Sequence, residues 1–289
     1  MTNRYAGRTP GRSETAEKYA RLRNEIQVEM DEVQAVHTVF ASALYSDDQF
    51  MRKFKSTMHQ LTVNRLLSSL DHLQLAAHSL EHGDDGLVYS QYSLVRPGLA
   101  IASTALWLVC GESDLRRMRG LNLASYDLAQ QVTFSRTVLD ATGRIDPRNE
   151  ALKAECRTVV AGAPERFQSM YEAYCAIRAN ETDVVSTPKE LRKFRETDVI
   201  TEVSKYMHDK KHLSNAHEIL LQYRMMSGFV HGLIWSTYAG TKVRNFQGEK
   251  SAMVELRGNP ENVYRGARTA LTVARLAKAR FIELCEYSR

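Results

Sequence analysis

The chain has 289 residues, of which 43% are hydrophobic and 25% charged, with a formal charge of +5 and a pI near 9.0. This balance excludes wholesale disorder and permits a nucleic-acid partner without demanding one. Four cysteines (Cys110, Cys156, Cys175 and Cys285) include no C-x-x-C pair, which argues against a disulfide framework and for a reducing, cytoplasmic setting.

Residues 1–12, with Arg4, Arg8 and Arg12 among Gly and Pro, read as a flexible basic tail without the apolar core of a signal peptide. From about Ser13 to Leu44, apolar residues recur at steps of three and four: Tyr19, Leu22, Ile26, Met30, Val33, Val36, Phe40 and Leu44. That spacing predicts one face of a long helix. A second helix is expected from about Gln49 to His82, ended by the HGDDG turn. A third covers about Val88 to Cys110, with Pro97 as a kink or as its true start. Its apolar run, Gly98 to Cys110, is too short for the roughly 20 residues of a membrane span and reads as a core helix.

Asp114 is placed to cap a fourth helix reaching Ala141, before the break GRIDPRN. Short helices are then expected from Glu150 to Val160 and from Pro164 to Asn180. Thr187, Pro188 and Glu190 give a start signal for a helix to about His208. Another runs from Leu213 to Tyr238. Residues 240–258 read as a loop or small hairpin, and Asn259-Pro260 opens a final helix to Tyr287. No sustained strand alternation or solenoid repeat occurs. The expected fold is all-α: a bundle of eight or nine helices forming a single helical domain over residues 13–289.

The stretch with the most chemistry surrounds Arg224 and His231. Seven residues apart on a helix, they fall within about 20° of each other, two turns along. His217 lies on the same stripe and Ser227 close to it. Such a set can cleave RNA without metal. His231 exchanges a proton with a ribose 2′-OH or a leaving 5′-oxygen, Arg224 holds the phosphate, and Ser227 donates a further hydrogen bond. The step of seven recurs at Arg52–His59 and Arg65–His72, so spacing alone does not single it out. The distinguishing neighbours are Gly228 and Gly232, each costing about 1 kcal/mol inside a helix. They suggest either tight helix packing or close approach of a ligand.

This helix resembles the Arg-x4–6-His motif of the HEPN superfamily, helical proteins that include many metal-independent ribonucleases of toxin, antiphage and RNA-processing systems. Leu94 to Val109 is similar to a helix of bacterial HEPN-like proteins; Arg96 matches its Arg, and Ala100 stands where a Glu is common. The residue after the motif Arg, commonly polar, is Met225. The resemblance spans residues 51–238. It implies a HEPN-like core with added helices, catalytic Arg224, His231 and Ser227, an RNA partner, and a homodimer with paired motifs facing one cleft.

Basic residues of the last helix, Arg265, Arg268 and Arg275, together with Arg96 and His217, are further candidates for RNA contact; Arg116, Arg117 and Arg119 form a second cluster. Solvated helix faces are the plainer explanation. The pairs His78/His82 and His208/His212 have ligand spacing, but they sit at helix ends, where His favours the macrodipole. No metal, cofactor or membrane partner is expected. The alternative to an RNA-acting protein is a non-catalytic helical scaffold or regulatory module with an unknown protein partner.

Overall fold

The computed structural model describes residues 12–81, 88–141, 148–178, 187–213, 215, 217–233, 236 and 260–286. Among these the chain forms nine α-helices of ten residues or more and one four-residue turn, with no strand. In chain order they are α1 (Arg12–Gln34), α2 (Ala43–Arg52), α3 (Met58–Glu81), α4 (Val88–Val109), α5 (Ser113–Asp140), α6 (Arg148–Ile177), α7 (Pro188–Leu191), α8 (Glu196–Asp209), α9 (Glu218–Val230) and α10 (Pro260–Cys285). The expected basic tail, the HGDDG turn and the loop at 240–258 lie outside the described residues, apart from Arg12, which opens α1.

The residues cluster into two compact units, where the sequence suggests one domain. The first comprises Met1–Val36, Val63–Trp107 and Glu196–Ile282; the second His37–Thr62, Leu108–Arg195 and Glu283–Arg289.

Most of α4 lies in the first unit. Its window Ser90–Val109 is long and apolar enough to cross a membrane, yet 72% of it is buried within the protein, as expected of a core helix. Pro97 neither starts nor ends it. Gly98 lets α3 approach: a Cβ there would lie 2.9 Å from Leu73 Cδ2, and Ser69 Oγ donates to the Gly98 carbonyl at 2.7 Å. Tyr92 stacks on Phe229 of α9, with ring centroids 4.4 Å apart.

Helices α1 and α10 are joined by a ladder of opposite charges. Glu25 accepts from Arg268 at 2.5 Å and Arg275 at 3.0 Å; Glu29 accepts from Arg275 at 2.6 Å and pairs with Lys278, which also reaches Glu32. Burial works against the charge on Glu29, but the hydrogen bonds from Lys278 and Arg275 outweigh it and hold its carboxyl below the usual range. Glu25 is lowered in the same way, with burial opposed by Arg268 and Arg275.

In the second unit, α5 packs along α6. The buried residues Cys156, Ala163, Phe167 and Met170 form one continuous line on α6. That line carries the helix unbroken through Pro164, where two helices were expected. Packing here outweighs the roughly 3 kcal/mol penalty of an interior proline. Asp47, fully buried, is held by Arg116 at 2.7 Å, Arg117 at 2.9 Å and the Ser113 hydroxyl at 2.5 Å. The basic cluster of α5 is therefore an internal structure: Arg119 also donates to a backbone carbonyl, that of Cys110.

Three expected helices are divided. The first meets a break at residues 35–42, after which Ser42 caps α2 by accepting from the Tyr45 N–H at 3.2 Å. A second break precedes α3, which Thr57 caps through Gln60 N–H and Asp48 caps from a distance through His59 N–H, each at 3.0 Å. The helix from Thr187 stops after one turn because Asn122 of α5 donates to the carbonyls of Leu191 and Lys193. Arg192 lies over the Phe167 ring, and Phe194 packs on Tyr126, which fixes the extended exit.

Candidate functional site: the exposed stripe of α9

Helix α9 is anchored from one side. Ile219, Tyr223, Met226 and Phe229 are buried, at the steps of three and four expected of an amphipathic helix. Tyr223 joins a part-buried polar cluster: its hydroxyl donates to Glu196 at 2.7 Å and accepts from Arg96 at 2.6 Å, while the Arg96 guanidinium also lies over its ring. Burial first, and the Glu196 carboxylate second, push the Tyr223 phenol above its ordinary value. Arg96, assigned to RNA contact from the sequence, is thus half-buried and ties α4 to α8 and α9.

The opposite side of α9 carries His217, Arg224 and His231, all three exposed, with Ser227 half-buried beside them. His217 occupies the cap position before the helix and His231 the one after it. Arg224 makes no ion pair or side-chain hydrogen bond among the described residues. The three side chains are therefore exposed along α9 and at the positions that flank its two ends.

The two glycines beside His231 need correction. Gly232 does not lie inside the helix, and a Cβ there would meet nothing within 4 Å. Its φ is +65°, a left-handed conformation that glycine adopts without strain. It closes a Schellman turn: Gly232 N–H donates to Phe229 O at 3.0 Å and Leu233 N–H to Gly228 O at 2.9 Å. Gly232 therefore marks the helix end, and neither tight packing nor a ligand is needed to account for it. Gly228, buried three residues before His231, supplies one of the carbonyls.

The basic residues of α10 separate into two groups. Arg268 and Arg275, both candidates for RNA contact, are neutralised by Glu25 and Glu29. Arg265 is exposed and makes no ion pair among the described residues; it lines a cleft of about 480 Å³ between α9 and α10. The cleft face of α9 (Glu218, Leu221, Gln222 and Met225) lies about a third of a turn from the Arg224 stripe. Sequence reasoning did not find it. Its one signal is Gly266, where a Cβ would come within 3.2 Å of Val95 and 3.4 Å of Met226, so that α10 can approach closely only without a side chain.

Among the described residues no group of three His, Cys, Asp or Glu side chains is placed to hold a metal ion. His208 sits in the last turn of α8 beside Asp209, at 3.6 Å. Compared with known proteins, the chain matches no family model, no curated protein and no solved structure.

Proposed function

We propose that this is a HEPN-like, RNA-acting protein that cleaves RNA without metal through the Arg224–His231 stripe. One observation carries the reading: Arg224, His217 and His231 share an exposed face of α9 with no carboxylate paired to Arg224 among the described residues, whereas Arg96, Arg268 and Arg275 are all held by acidic side chains. An uncompensated cation beside an imidazole suits a phosphate and a proton transfer. In the homodimer that the resemblance implies, one His231 takes the proton from a ribose 2′-OH. The 2′-oxygen attacks phosphorus, the bond to the 5′-oxygen breaks, and the second His231 protonates that oxygen. Arg224 balances the charge gathered on the phosphate.

The test is incubation of the purified protein with total RNA in EDTA, beside His231→Ala and Arg224→Ala. The wild type is expected to leave cyclic-phosphate and 5′-hydroxyl ends. His231→Ala should slow cleavage about a hundredfold or more. No cleavage by the wild type, or equal cleavage by the variants, overturns the enzymatic reading.

Ala100 favours a second reading, a non-catalytic module of the same fold. It lies in the core at 4% exposure, in the place where the similar helices carry Glu. This reading expects RNA to be bound and left intact, or a protein partner to occupy the stripe.

A further inference from the structure

The cleft between α9 and α10 separates its wall chemistry by position. Glu218 and Gln222, one turn apart on α9, offer acceptors. Gln222 Oε1 is buried and has no hydrogen-bond partner among the described residues. A buried acceptor left so is unfavourable, and an incoming N–H would relieve it. Glu218 pairs with no cation among the described residues, although Arg265 lines the same cleft. Among the described residues these two opposite charges are not paired, unlike Arg268, Arg275 and Lys278 of α10, which pair with carboxylates of α1. Between them Leu221, Met225 and Met226 form an apolar wall, and methionine adapts to flat or irregular ligands.

A volume of about 480 Å³ lies in the range of pockets for ligands of nucleotide size. A free α-amino acid would satisfy both charges but fill little of that space. The complementary ligand has a flat apolar body, adjacent N–H donors on one edge and an anion at the far end. Guanine is the base with that edge: its N1–H and exocyclic amine donate side by side, a match for a carboxylate. Adenine and cytosine put an acceptor next to their amine, and uracil flanks its single N–H with two carbonyls; a carboxylate repels each of these.

We propose that this cleft binds a guanine nucleotide. Glu218 accepts from N1–H and the exocyclic amine, Gln222 Oε1 accepts the remaining amine hydrogen, Arg265 holds the phosphate, and the ring lies against Leu221 and Met225. This deepens the RNA reading and rests on it for the source of the base: an unpaired guanosine in a strand that crosses α9 with its backbone on the Arg224 stripe. Free guanine nucleotide is the other source with the same chemistry.

The experiment is an NMR titration of protein labelled at its methionine methyl groups, with GMP, AMP, CMP, UMP and guanosine. GMP is expected to shift Met225 and Met226 and to bind about tenfold or more tightly than AMP, as one bidentate base contact provides. Glu218→Gln, which keeps the side-chain shape, should bring GMP down to the level of AMP. Arg265→Ala should make GMP and guanosine equal, with the circular dichroism spectrum unchanged in both variants. A single-stranded oligouridine carrying one guanosine is then compared with the all-uridine strand. A gain from the guanosine assigns the ligand to RNA. GMP binding without that gain assigns it to free nucleotide, which supports the cleft and removes its support for the RNA reading. Equal shifts of Met225 and Met226 by GMP and AMP, or no shift at millimolar nucleotide, overturn the proposal whether or not the protein cleaves RNA.

Discussion

On α10, Arg268 and Arg275 stand seven residues apart, and both reach carboxylates of α1; on α9, Arg224 and His231 stand at the same spacing and face solvent. In sequence the two pairs are alike. In the fold one pair holds two helices together, at sequence separations of 243 to 250 residues, and the other stays available for a partner. A cation in a sequence becomes surface charge only where no carboxylate is folded against it. The formal charge of +5 therefore overstates how much of α10 faces a ligand and says nothing of where the uncompensated residues lie.

The largest effect that would break this comparison is at Glu29. Its side chain is 10% exposed and serves both Arg275 and Lys278. Glu29→Ala should cost about 1 to 2 kcal/mol, read as a lower urea midpoint, because it removes the most buried carboxylate of the ladder and leaves Arg275 with Glu25 alone and Lys278 with the exposed Glu32 alone. A midpoint equal to that of the wild type would mean that the ladder is ornamental.

Acid should act on the same helices. The folded pKa values of Glu25 and Glu29 lie below the ordinary 4.5, so their contribution is complete above that value and is lost as pH falls through the lower folded values. Asp48 in the second unit has the opposite sign. Burial raises its carboxyl above the ordinary 3.8, so its protonation on acidification favours the folded form. Unfolding midpoints measured at falling pH should drop in the wild type, and Glu29→Gln should flatten that drop.

A smaller effect concerns how His231 is presented. Helix α8 ends in the same turn as α9, with Lys211 at φ 62° where α9 has Gly232. Lys211→Gly should stabilise the protein by about 1 kcal/mol and Gly232→Ala should destabilise it by a similar amount. Thermal melts that rank the two the other way would contradict the assigned turns.

The smallest change in stability and the clearest in binding belongs to Arg224→Ala. It should leave the urea midpoint in place and lower the salt dependence of RNA binding by about one unit of slope. Arg275→Ala should do the reverse. If both variants change the slope alike, the distinction between paired and unpaired cations fails.

The all-helical class, the core character of α4 and the shared face of His217, Arg224 and His231 were legible in the sequence, because each depends on helical periodicity within one segment. The divisions at residues 35–42 and 53–57 were missed, because the apolar steps run on across them and masked the caps Ser42 and Thr57. The end of α7 was not legible, since it depends on Asn122 arriving from α5. Nor could the sequence tell Arg275 from Arg224: the deciding residues, Glu25 and Glu29, lie on another helix. The cleft is of the same kind, since Glu218 and Arg265 line one space only once α10 lies beside α9.

The ladder between α1 and α10 also orders events during synthesis. Glu29 leaves the ribosome 246 residues before Arg275, which at about 5–20 residues per second is a wait of roughly 12 to 50 s. Through that interval the apolar face of α1, with Tyr19, Leu22 and Ile26, has no α10 to cover it. The first unit is thus completed late, only when the last helix of the chain has been made.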